Sequence, residues 1–269
     1  MRIGQFSDSF LPVLDGVGRV VYSYGKTLGD LGHDVTVFVP MDDMGDLSAC
    51  PFRVAAYTTL KMPGKLPYRV GVPRLDPRFE RRLRAAELDI AHAHDPFMMG
   101  YAALRAARRR GLPAVATFHS KYYDDFQKVL KLEAFAKIGV KQVVEFYEQF
   151  DEVWAVSAAS GETLKSYGYT GEVVVMPNGT ELRPLDGAVL PEVRERFAIQ
   201  EDRPVLLYVG QLNWKKNILK ILKAAKLLMD AGVSFQLLLA GQGPDRDDIE
   251  KTARALGLGE RMAFTGHLG

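Results

Sequence analysis

The sequence predicts an α/β protein with two doubly wound parallel sheets, the second of them incomplete. Apolar, β-branched runs alternate with amphipathic helical stretches along the whole chain, which is typical of βαβ units. A polar connection rich in proline and glycine follows Pro177 and interrupts this alternation. We therefore predict an N-terminal Rossmann-like domain with its linker at 1–202 and the first part of a second Rossmann-like domain at 203–269.

The composition is that of an ordinary soluble globular chain. With 269 residues, 47% of them hydrophobic, the chain is long enough for one complete domain and part of another. Its one cysteine, Cys50, cannot form an internal disulfide, and its first residues lack the apolar core of a signal peptide, so we expect a cytoplasmic location. No apolar run approaches the roughly 20 residues that span a bilayer, so membrane contact is expected to be peripheral.

The charge pattern argues against nucleic acid as a partner but is compatible with a membrane surface. The net charge of +2 is too small for a nucleic-acid-binding protein. Basic residues are dense between Arg53 and Arg84 and again from Arg105 to Arg110. Each cluster fits a solvated helix face, and the first also fits a surface for an anionic membrane or acceptor.

The first βαβ unit carries a glycine loop. We predict a strand at Arg2–Ser7, a loop through Gly16, Val17 and Gly18, a helix at Arg19–Leu31 and a strand at Val35–Val39. Glycines at the carboxyl end of a first strand lie where such sheets bind ligands. A third glycine and an acidic residue at the end of the second strand are missing, which argues against a nicotinamide cofactor.

The rest of the first domain continues the alternation. Strands are predicted at Arg53–Tyr57, Tyr68–Val72, Ile90–His94, Ala114–His119, Val153–Val156 and Val173–Met176, and helices at Asp76–Glu87, Phe97–Arg110, Tyr122–Phe150 and Ser157–Tyr167. The long helix is expected to bend or break at Gly139.

The second domain opens with a strand, a glycine and a lysine-bearing segment. The strand Val205–Val209 ends at Gly210, and a helix is expected to run on to about Ala231. Backbone N–H groups at such a turn, with Lys215 and Lys216 nearby, could hold a phosphate, although most strand-to-helix turns bind nothing. Two later strands, near Phe235 and Met262, bring the number of predicted strands in this domain to three. An open sheet of three parallel strands leaves apolar edges uncovered, so we expect that the sequence is cut.

Three histidines fall near strand ends. His92 and His94 share a face of one strand, Asp95 follows, and His119 ends a strand expected to lie close by. His92 is expected to be a hydrogen-bonded core or rim histidine, whereas the place of His119 favours a role in a site. The spacing does not suit a metal centre, and no serine elbow or cysteine–histidine pair supports acyl transfer or thiol chemistry.

Short motifs in a fixed order together resemble those of family 4 glycosyltransferases. They are Pro12–Arg19 (PVLDGVGR), Leu28–Val35 (LGDLGHDV), His92–Pro96 (HAHDP), Thr117–Ser120 (TFHS), Val156–Ser157, Pro177–Gly179 (PNG), Tyr208–Gln211 (YVGQ) with Lys216–Asn217, Gly241–Pro244 (GQGP) and Phe264–Gly266 (FTG). The resemblance covers nearly the whole chain and implies a retaining nucleotide-sugar transferase of the GT-B fold.

The resemblance also implies roles for particular residues. His119 matches the histidine that faces the transferred sugar, and Lys216 matches one member of the basic pair that neutralises the donor diphosphate. Gln211 stands where the family commonly has arginine, a departure for which Lys215 could compensate. The implied substrate-binding residues are Gly16, Val17, Gly18, Asp95, Asn178, Gly210, Gln211, Lys216, Gly241 and Gly243, and the chain around Arg261–Phe264 would meet the base.

Two functions of different classes remain open. The first is transfer of a sugar from a UDP- or GDP-sugar to a lipid or glycan acceptor, with the donor as substrate and no metal or other cofactor. The second is a non-catalytic nucleotide-sugar or partner-binding module, because the family's pair of glutamates is absent before residue 269. We expect a fragment in preference to a split enzyme or a degenerate protein, and a sugar-nucleotide epimerase fits the motifs less well.

Overall fold

A computed structural model describes residues 1–10, 16–40, 47–61, 69–119, 121–123, 126–127, 133–180, 182, 184, 187 and 190–266. The chain forms two compact units, Met1–Glu181 and Leu182–Gly269. Both contain a parallel sheet flanked by helices, so the α/β prediction is confirmed. The predicted boundary near Asp202 falls inside the second unit, shortly before its sheet begins at Val205, and it stays a prediction.

The first unit is built on a sheet of seven parallel strands within the described residues, in the order β3-β2-β1-β6-β7-β8-β9. Its elements are β1 (Arg2–Phe6), α1 (Gly16–Asp30), β2 (Asp34–Pro40), β3 (Arg53–Tyr57), β4 (Leu60–Lys61), β5 (Arg69–Val70), α2 (Pro77–Ala85), β6 (Ile90–Ala93), α3 (Met98–Arg110), β7 (Ala114–Phe118), α4 (Glu133–Tyr147), β8 (Glu152–Ala155), α5 (Ala158–Ser166) and β9 (Val174–Val175). The short strands β4 and β5 pair separately and antiparallel.

The central strands are apolar because helices cover both faces of the sheet. Phe6 and Phe38 stack with their ring centroids 4.5 Å apart, and Phe79 from α2 meets Phe38 edge to face. Met99 and Phe146 belong to the same buried cluster. This packing fixes β1, β2 and β6 against α2 and α3, and it brings their carboxyl ends to one edge of the sheet.

Two local predictions in this unit are wrong. Gly16, Val17 and Gly18 form the first turn of α1 and not a loop, because Val17 and Val21 continue one apolar helical face against the core. Helix α4 runs unbroken through Gly139, where a Cβ would lie 2.7 Å from the Phe126 ring. The glycine there makes room for a packed ring and does not break the helix, while residues 128–132 lie outside the described chain.

The second unit contains α6 (Leu190–Arg196), β10 (Val205–Val209), α7 (Ile218–Asp230), β11 (Gln236–Ala240), α8 (Arg246–Ala255) and β12 (Met262–Gly266). The three strands pair in parallel in the order β10-β11-β12. The helix α6 begins inside the stretch after Pro177 that was predicted as a polar connection rich in proline and glycine. Its proline, Pro191, lies in the first turn, where the missing N–H of proline costs nothing. Among the described helices, none has the length and apolarity to cross a membrane.

Gly100 in α3 provides a test of the packing at the carboxyl edge. A Cβ at this position would lie 2.1 Å from the backbone oxygen of Asp95 and 2.6 Å from Cζ of Phe146. Because neither the backbone nor the buried ring can give way cheaply, we expect Gly100→Ala to lower the free energy of unfolding by about 2 kcal/mol or more in urea titrations.

Gly29→Ala is the matched control, since a Cβ on that helical glycine meets nothing within 4 Å. This substitution should leave stability unchanged or raise it by up to about 1 kcal/mol. Equal effects of the two substitutions would show that the close contact at Gly100 is not a constraint on the fold.

Candidate functional site

The candidate site in the first unit lies where β1, β6 and β7 end side by side. Phe6 pairs with Ala93, and Ala93 pairs with Ala116, so the residues that follow these strands emerge at one edge. The backbone N–H of His94 donates to the carbonyl of Phe6 at 2.9 Å and extends the pairing by one step. Parallel strands with this register bring residues distant in sequence to one place.

The structure brings together the three histidines that the sequence singled out. The ring centroids of His92 and His94 are 4.1 Å apart, and those of His94 and His119 are 5.3 Å apart. Nδ1 of His94 is 3.1 Å from Nε2 of His119, and Nε2 of His94 is 2.5 Å from Oε1 of Gln5. His94 and Gln5 are buried, whereas His119 is half-buried at the rim.

His92 is a buried histidine with a hydrogen-bond partner, as its place in the strand predicts. Its Nε2 lies 2.7 Å from the hydroxyl oxygen of Thr117. Burial lowers the pKa of His92 to about 3, and the nearby His119 adds to that shift. Burial also lowers the pKa of His94, with further contributions from His92 and His119. Both rings are therefore neutral in the folded protein near pH 7.

Two carboxyl groups lie at the same edge of the sheet as the histidines. Oδ2 of Asp8 accepts the N–H of Met99 at 2.7 Å, at the start of α3. Oδ2 of Asp95 accepts the Ser7 hydroxyl at 3.1 Å and the N–H of Asp8 at 2.8 Å. Burial raises the pKa of Asp8, and the charge of Asp95 raises it further. Asp95 thus helps to join the ends of β1 and β6, and its assignment to substrate stays a prediction.

Gln5 and Asp8 were not identified from the sequence. Gln5 is a polar side chain within the apolar strand RIGQF, and Asp8 follows that strand almost directly. Both signals are weak alone, because a polar residue in a strand can also face solvent. Among the described residues, no group of three His, Cys, Asp or Glu side chains is arranged to hold a metal ion.

The other predicted residues of the first unit are more dispersed. Gly16, Val17 and Gly18 form the amino end of α1, which follows β1, so their backbone lies at the same edge of the sheet as the histidines. Asn178 is exposed beyond the edge strand β9, and β8 separates β9 from β7. The pairing of strands thus explains the histidine cluster but does not place Asn178 in it.

The second unit has a site candidate at the ends of β10 and β11, where two loops interlock. The N–H of Gly210 donates to Ala240 O, and that of Leu212 donates to Gln242 O, each at 2.9 Å. The N–H of Trp214 donates to the Asp245 carboxylate at 2.9 Å. We call residues 210–217 together with 241–245 the loop pair.

Glycine is required where the two loops touch. A Cβ on Gly241 would lie 1.9 Å from the carbonyl oxygen of Gly210, and Gly241 has a φ of +143°. A Cβ on Gly243 would lie 2.2 Å from the carbonyl oxygen of Leu212. These glycines, predicted from motifs to shape a donor site, hold the loops within hydrogen-bonding distance of each other.

The basic side chains of the loop pair, Lys215 and Lys216, lie in a short turn. Trp214–Lys216 form a 3-10 turn, which Asn213 caps by accepting the N–H of Lys215 at 2.8 Å. Asn217 then adopts a left-handed conformation with φ of 57°, and α7 begins at Ile218. Gln211, Lys215 and Lys216 are exposed. The turn therefore presents positive charge next to the polypeptide backbone of the loop pair.

Comparison with known proteins gives family matches over most of the chain. Residues 14–183 match the model of "Glycosyltransferase Family 4", and residues 190–269 match that of "Glycosyl transferases group 1". The chain is 28% identical over 276 aligned residues to an alpha-monoglucosyldiacylglycerol synthase of Streptococcus pneumoniae, covering 99% of this chain and 61% of that protein. It is 26% identical to a GDP-mannose-dependent alpha-mannosyltransferase of Mycobacterium tuberculosis, covering 93% of this chain and 65% of the other.

A solved structure supports the fold. The chain aligns with sucrose-phosphate synthase from Thermosynechococcus elongatus with a TM-score of 0.75 and 20% identity, covering 99% of this chain and 70% of that one. The likeness confirms the GT-B fold, with a first Rossmann-like domain and part of a second. The chain thus spans about two thirds of the length of the proteins it matches.

The two buried histidines predict a dependence of stability on pH. An unfolded histidine takes up a proton near pH 6.5, whereas His92 in the folded protein stays neutral down to about pH 3. The unfolded state therefore binds more protons, and the free energy of unfolding falls as pH drops below 6.5. Between pH 7.5 and 5, we expect the wild type to lose about 2 kcal/mol more than His92→Gln in urea titrations.

Asp8 has the opposite effect on the pH dependence, because its raised pKa favours the folded state as pH falls. Its contribution is the same in the wild type and in His92→Gln, so it cancels when the two proteins are compared. Above pH 7.5, the stabilities of wild type and variant should run parallel. Parallel curves over the whole range down to pH 5 would show that His92 does not titrate differently in the folded and unfolded states.

Proposed function

Because the chain belongs to glycosyltransferase family 4, we propose that it transfers a sugar from a UDP- or GDP-sugar to a lipid or glycan acceptor, with retention of the anomeric configuration. The donor is a substrate, and the proposal needs no metal or other cofactor. Both relatives named above are glycosyltransferases whose names specify an alpha linkage. Only the second name gives a donor, GDP-mannose, so the base stays open between uracil and guanine.

The loop pair is the observation on which this proposal chiefly depends. Its two loops are held together by backbone hydrogen bonds and by glycines that let the chains approach closely. Lys216 is exposed on the short turn Trp214–Lys216 within the first of these loops. A departing nucleoside diphosphate gains negative charge, and fixed N–H groups and cations directed at that charge lower the barrier. We assign the diphosphate to this loop pair, with Lys216 as its principal cation.

Gln211 changes the chemistry of the leaving-group site. A glutamine can donate a hydrogen bond to a phosphate oxygen but carries no charge, unlike the arginine common in the family. Lys215 is next to Lys216 on the same exposed turn and can supply the second positive charge. We therefore propose that Lys215 and Lys216 together act as the basic pair in this protein.

His119 is proposed to act at the transferred sugar. It follows the carboxyl end of β7 and is half-buried, with its ring against that of His94. Such a place lets a ring nitrogen meet a ligand while the rest of the side chain is held by the protein. We propose that His119 stabilises the positive charge that develops on the sugar ring, and that the amino end of α1 at Gly16–Gly18 approaches the donor from the same unit.

The binding-only alternative rests on a specific feature, the replacement of arginine by Gln211. If that loss abolished leaving-group stabilisation, the chain would bind a nucleotide sugar without releasing the diphosphate. Incubation with labelled UDP-glucose or GDP-mannose separates the two functions. Saturable binding with neither transfer nor diphosphate release would favour the module, and release coupled to acceptor glycosylation would favour the enzyme.

The acceptor proposal includes contact with an anionic membrane. Apolar side chains are exposed on segments at the carboxyl edge of the first sheet, namely Leu60, Val72, Leu75, Phe97 and Met98. Arg74 and Arg78 are exposed on the same stretch of chain. Apolar and basic side chains together suit the interface of an anionic bilayer. A lipid acceptor would then reach the histidine cluster from the membrane, at the cytoplasmic face.

Lys216→Ala tests the diphosphate assignment. Loss of a cation facing two phosphates should weaken the binding of UDP or GDP about tenfold at low salt, while weak binding of free uridine or guanosine stays unchanged. The measurement is calorimetric titration of the chain with each nucleotide. Lys223→Ala, which removes an exposed lysine further along α7, is the control and should bind like the wild type.

The assignment fails if Lys216→Ala lowers the affinity for nucleoside and for nucleoside diphosphate by the same factor. It also fails if the variant binds the diphosphate as tightly as the wild type does. If the folded wild-type chain binds neither UDP nor GDP, the loop pair is not sufficient to bind the donor.

Leu75→Asp tests the membrane surface. Leu75 is 78% exposed at the carboxyl edge, and Leu31 is 69% exposed at the opposite edge, between α1 and β2. A carboxylate in place of Leu75 should weaken binding to phosphatidylglycerol-containing vesicles about tenfold in flotation assays, through lost apolar contact and charge repulsion. Leu31→Asp adds the same charge and should bind like the wild type.

Equal losses in the two variants would mean that net charge alone governs binding. Binding that is insensitive to both phosphatidylglycerol content and salt would remove the membrane from the proposal.

A further inference from the structure

Three arginines surround one buried glutamate between α2 and α3 of the first unit. Glu80 of α2 is 6% exposed, and its Oε1 accepts a hydrogen bond from Nη2 of Arg105 in α3. Its Oε2 lies 3.8 Å from Nη2 of Arg84 and 3.5 Å from Nη1 of Arg109. We call these four residues the arginine cluster. The two basic stretches that are separate in the sequence therefore meet at one carboxylate.

The arginine cluster carries more positive than negative charge. Three guanidinium groups, which stay protonated in proteins, face a single carboxylate, so two positive charges are left over. Within the described part of the chain, no second acidic side chain pairs with Arg84, Arg105 or Arg109. Like charges held this close repel one another, and an anion bound among them would relieve the repulsion.

The surroundings of Arg105 show the same surplus of charge. Burial lowers the pKa of Arg105, and Glu80 opposes that shift. The charges of Arg109, Arg74 and Arg84 lower the pKa of Arg105 further, so all three lie close enough to repel its guanidinium group.

The arginines also keep hydrogen-bond donors that the protein leaves unused. Nε of Arg105 is buried and has no hydrogen-bond partner among the residues described. Arg84 and Arg109 lie farther from Glu80 than the distance of a good N–H···O hydrogen bond. Their side chains are 70% and 48% exposed, and each guanidinium group has five N–H donors. Both can therefore donate to a ligand that arrives from solvent.

The arginine cluster is separate from the histidine site. Helix α2 ends at Ala85 shortly before β6 begins, and α3 ends at Arg110 shortly before β7 begins. The ends of both helices therefore lie at the amino edge of the sheet, opposite the edge at which the histidines lie. A guanidinium nitrogen of Arg110 donates to the backbone oxygen of Arg84 and joins the two helix ends.

We propose that the arginine cluster binds a phosphate monoester, with Arg84 and Arg109 as its direct ligands. A phosphate monoester carries a charge of about −1.5 to −2 at pH 7, which matches the two positive charges left over. The guanidinium groups of Arg84 and Arg109 reach the same oxygen of Glu80, so they are neighbours, and one phosphate group can accept hydrogen bonds from both. Glu80, itself held by Arg105, keeps them together. This site does not depend on the function proposed above.

Two sources offer this chemistry, a soluble phosphate monoester and the headgroup of a lipid such as phosphatidate. The large apolar residues of α2, Phe79 and Leu83, are buried, so the helix exposes arginines and no large apolar side chain that could enter a bilayer. Recognition at this site therefore depends on the phosphate group itself, and both sources are tested below.

Calorimetric titration with glycerol 3-phosphate at constant ionic strength tests the site. The parent protein for the titration is Lys216→Ala, so that binding at the loop pair contributes less. We expect saturable binding to this parent, about tenfold weaker binding after Arg109→Gln is added, and no measurable binding once Arg84→Gln is added as well. The exposure of both side chains makes these variants compatible with folding, which circular dichroism checks.

Arg108→Gln is the matched control. It removes the same charge from the same turn of α3, but Arg108 donates to Oε1 of Gln149 at 2.6 Å and not to Glu80. This variant should bind glycerol 3-phosphate like the parent.

Vesicles of phosphatidylcholine with and without phosphatidate distinguish the two sources. If the phosphate belongs to a lipid, binding to vesicles requires phosphatidate and is lost when Arg84 and Arg109 are both replaced. If it belongs to a soluble ligand, the same double replacement abolishes binding of glycerol 3-phosphate and leaves vesicle binding unchanged. Both results support the site and differ only in the source of its ligand.

Three results would overturn the proposal. The first is a folded parent protein that does not bind glycerol 3-phosphate. The second is unchanged binding after Arg84 and Arg109 are both replaced; if that variant does not fold, Arg109→Gln alone decides. The third is an equal loss in Arg108→Gln and Arg109→Gln, because net charge and not the arginine cluster would then govern binding.

Discussion

The parallel pairing of β1 with β6, and of β6 with β7, is the constraint on which the candidate site depends. It fixes where each strand ends, and the residues that follow the three strands therefore meet at one edge. The apolar core below allows no shift in register, because a one-residue slip would turn every buried side chain toward the other face. The histidine cluster is thus a consequence of strand register, supported by the bond from His94 N–H to the Phe6 carbonyl.

The second unit also places its candidate site at the carboxyl ends of neighbouring parallel strands. Its site candidate is made by two loops that follow neighbouring parallel strands, and backbone hydrogen bonds between the loops replace side-chain contacts. Gly241 and Gly243 make this possible, because any larger residue would collide with the facing carbonyl groups. Each unit therefore positions polar groups at the carboxyl ends of parallel strands, the first with buried side chains and the second with main chain and exposed lysines.

The sequence predicted the order of strands and helices well, because apolar runs and helical periodicity are local signals. It placed Val205–Val209 and Arg53–Tyr57 at their observed bounds. It failed where packing overrides a local signal: Gly139 lies within an unbroken helix because a ring needs the space. For the site, it named the three histidines and the glycines of the loop pair. Gln5 and Asp8 were missed, because their partners are about 90 residues away and only the sheet brings them together.

The configuration of the transferred sugar tests the central claim most directly. The protein would be incubated with UDP-α-glucose or GDP-α-mannose and with vesicles that contain diacylglycerol as the test lipid, because the name of the Streptococcus pneumoniae relative contains that lipid. The anomeric proton of the product would be examined by NMR. A retaining transferase predicts an α-linked glycolipid and an equal amount of released UDP or GDP. A β-linked product would contradict the account, as would nucleotide-sugar binding by the folded protein with neither transfer nor release.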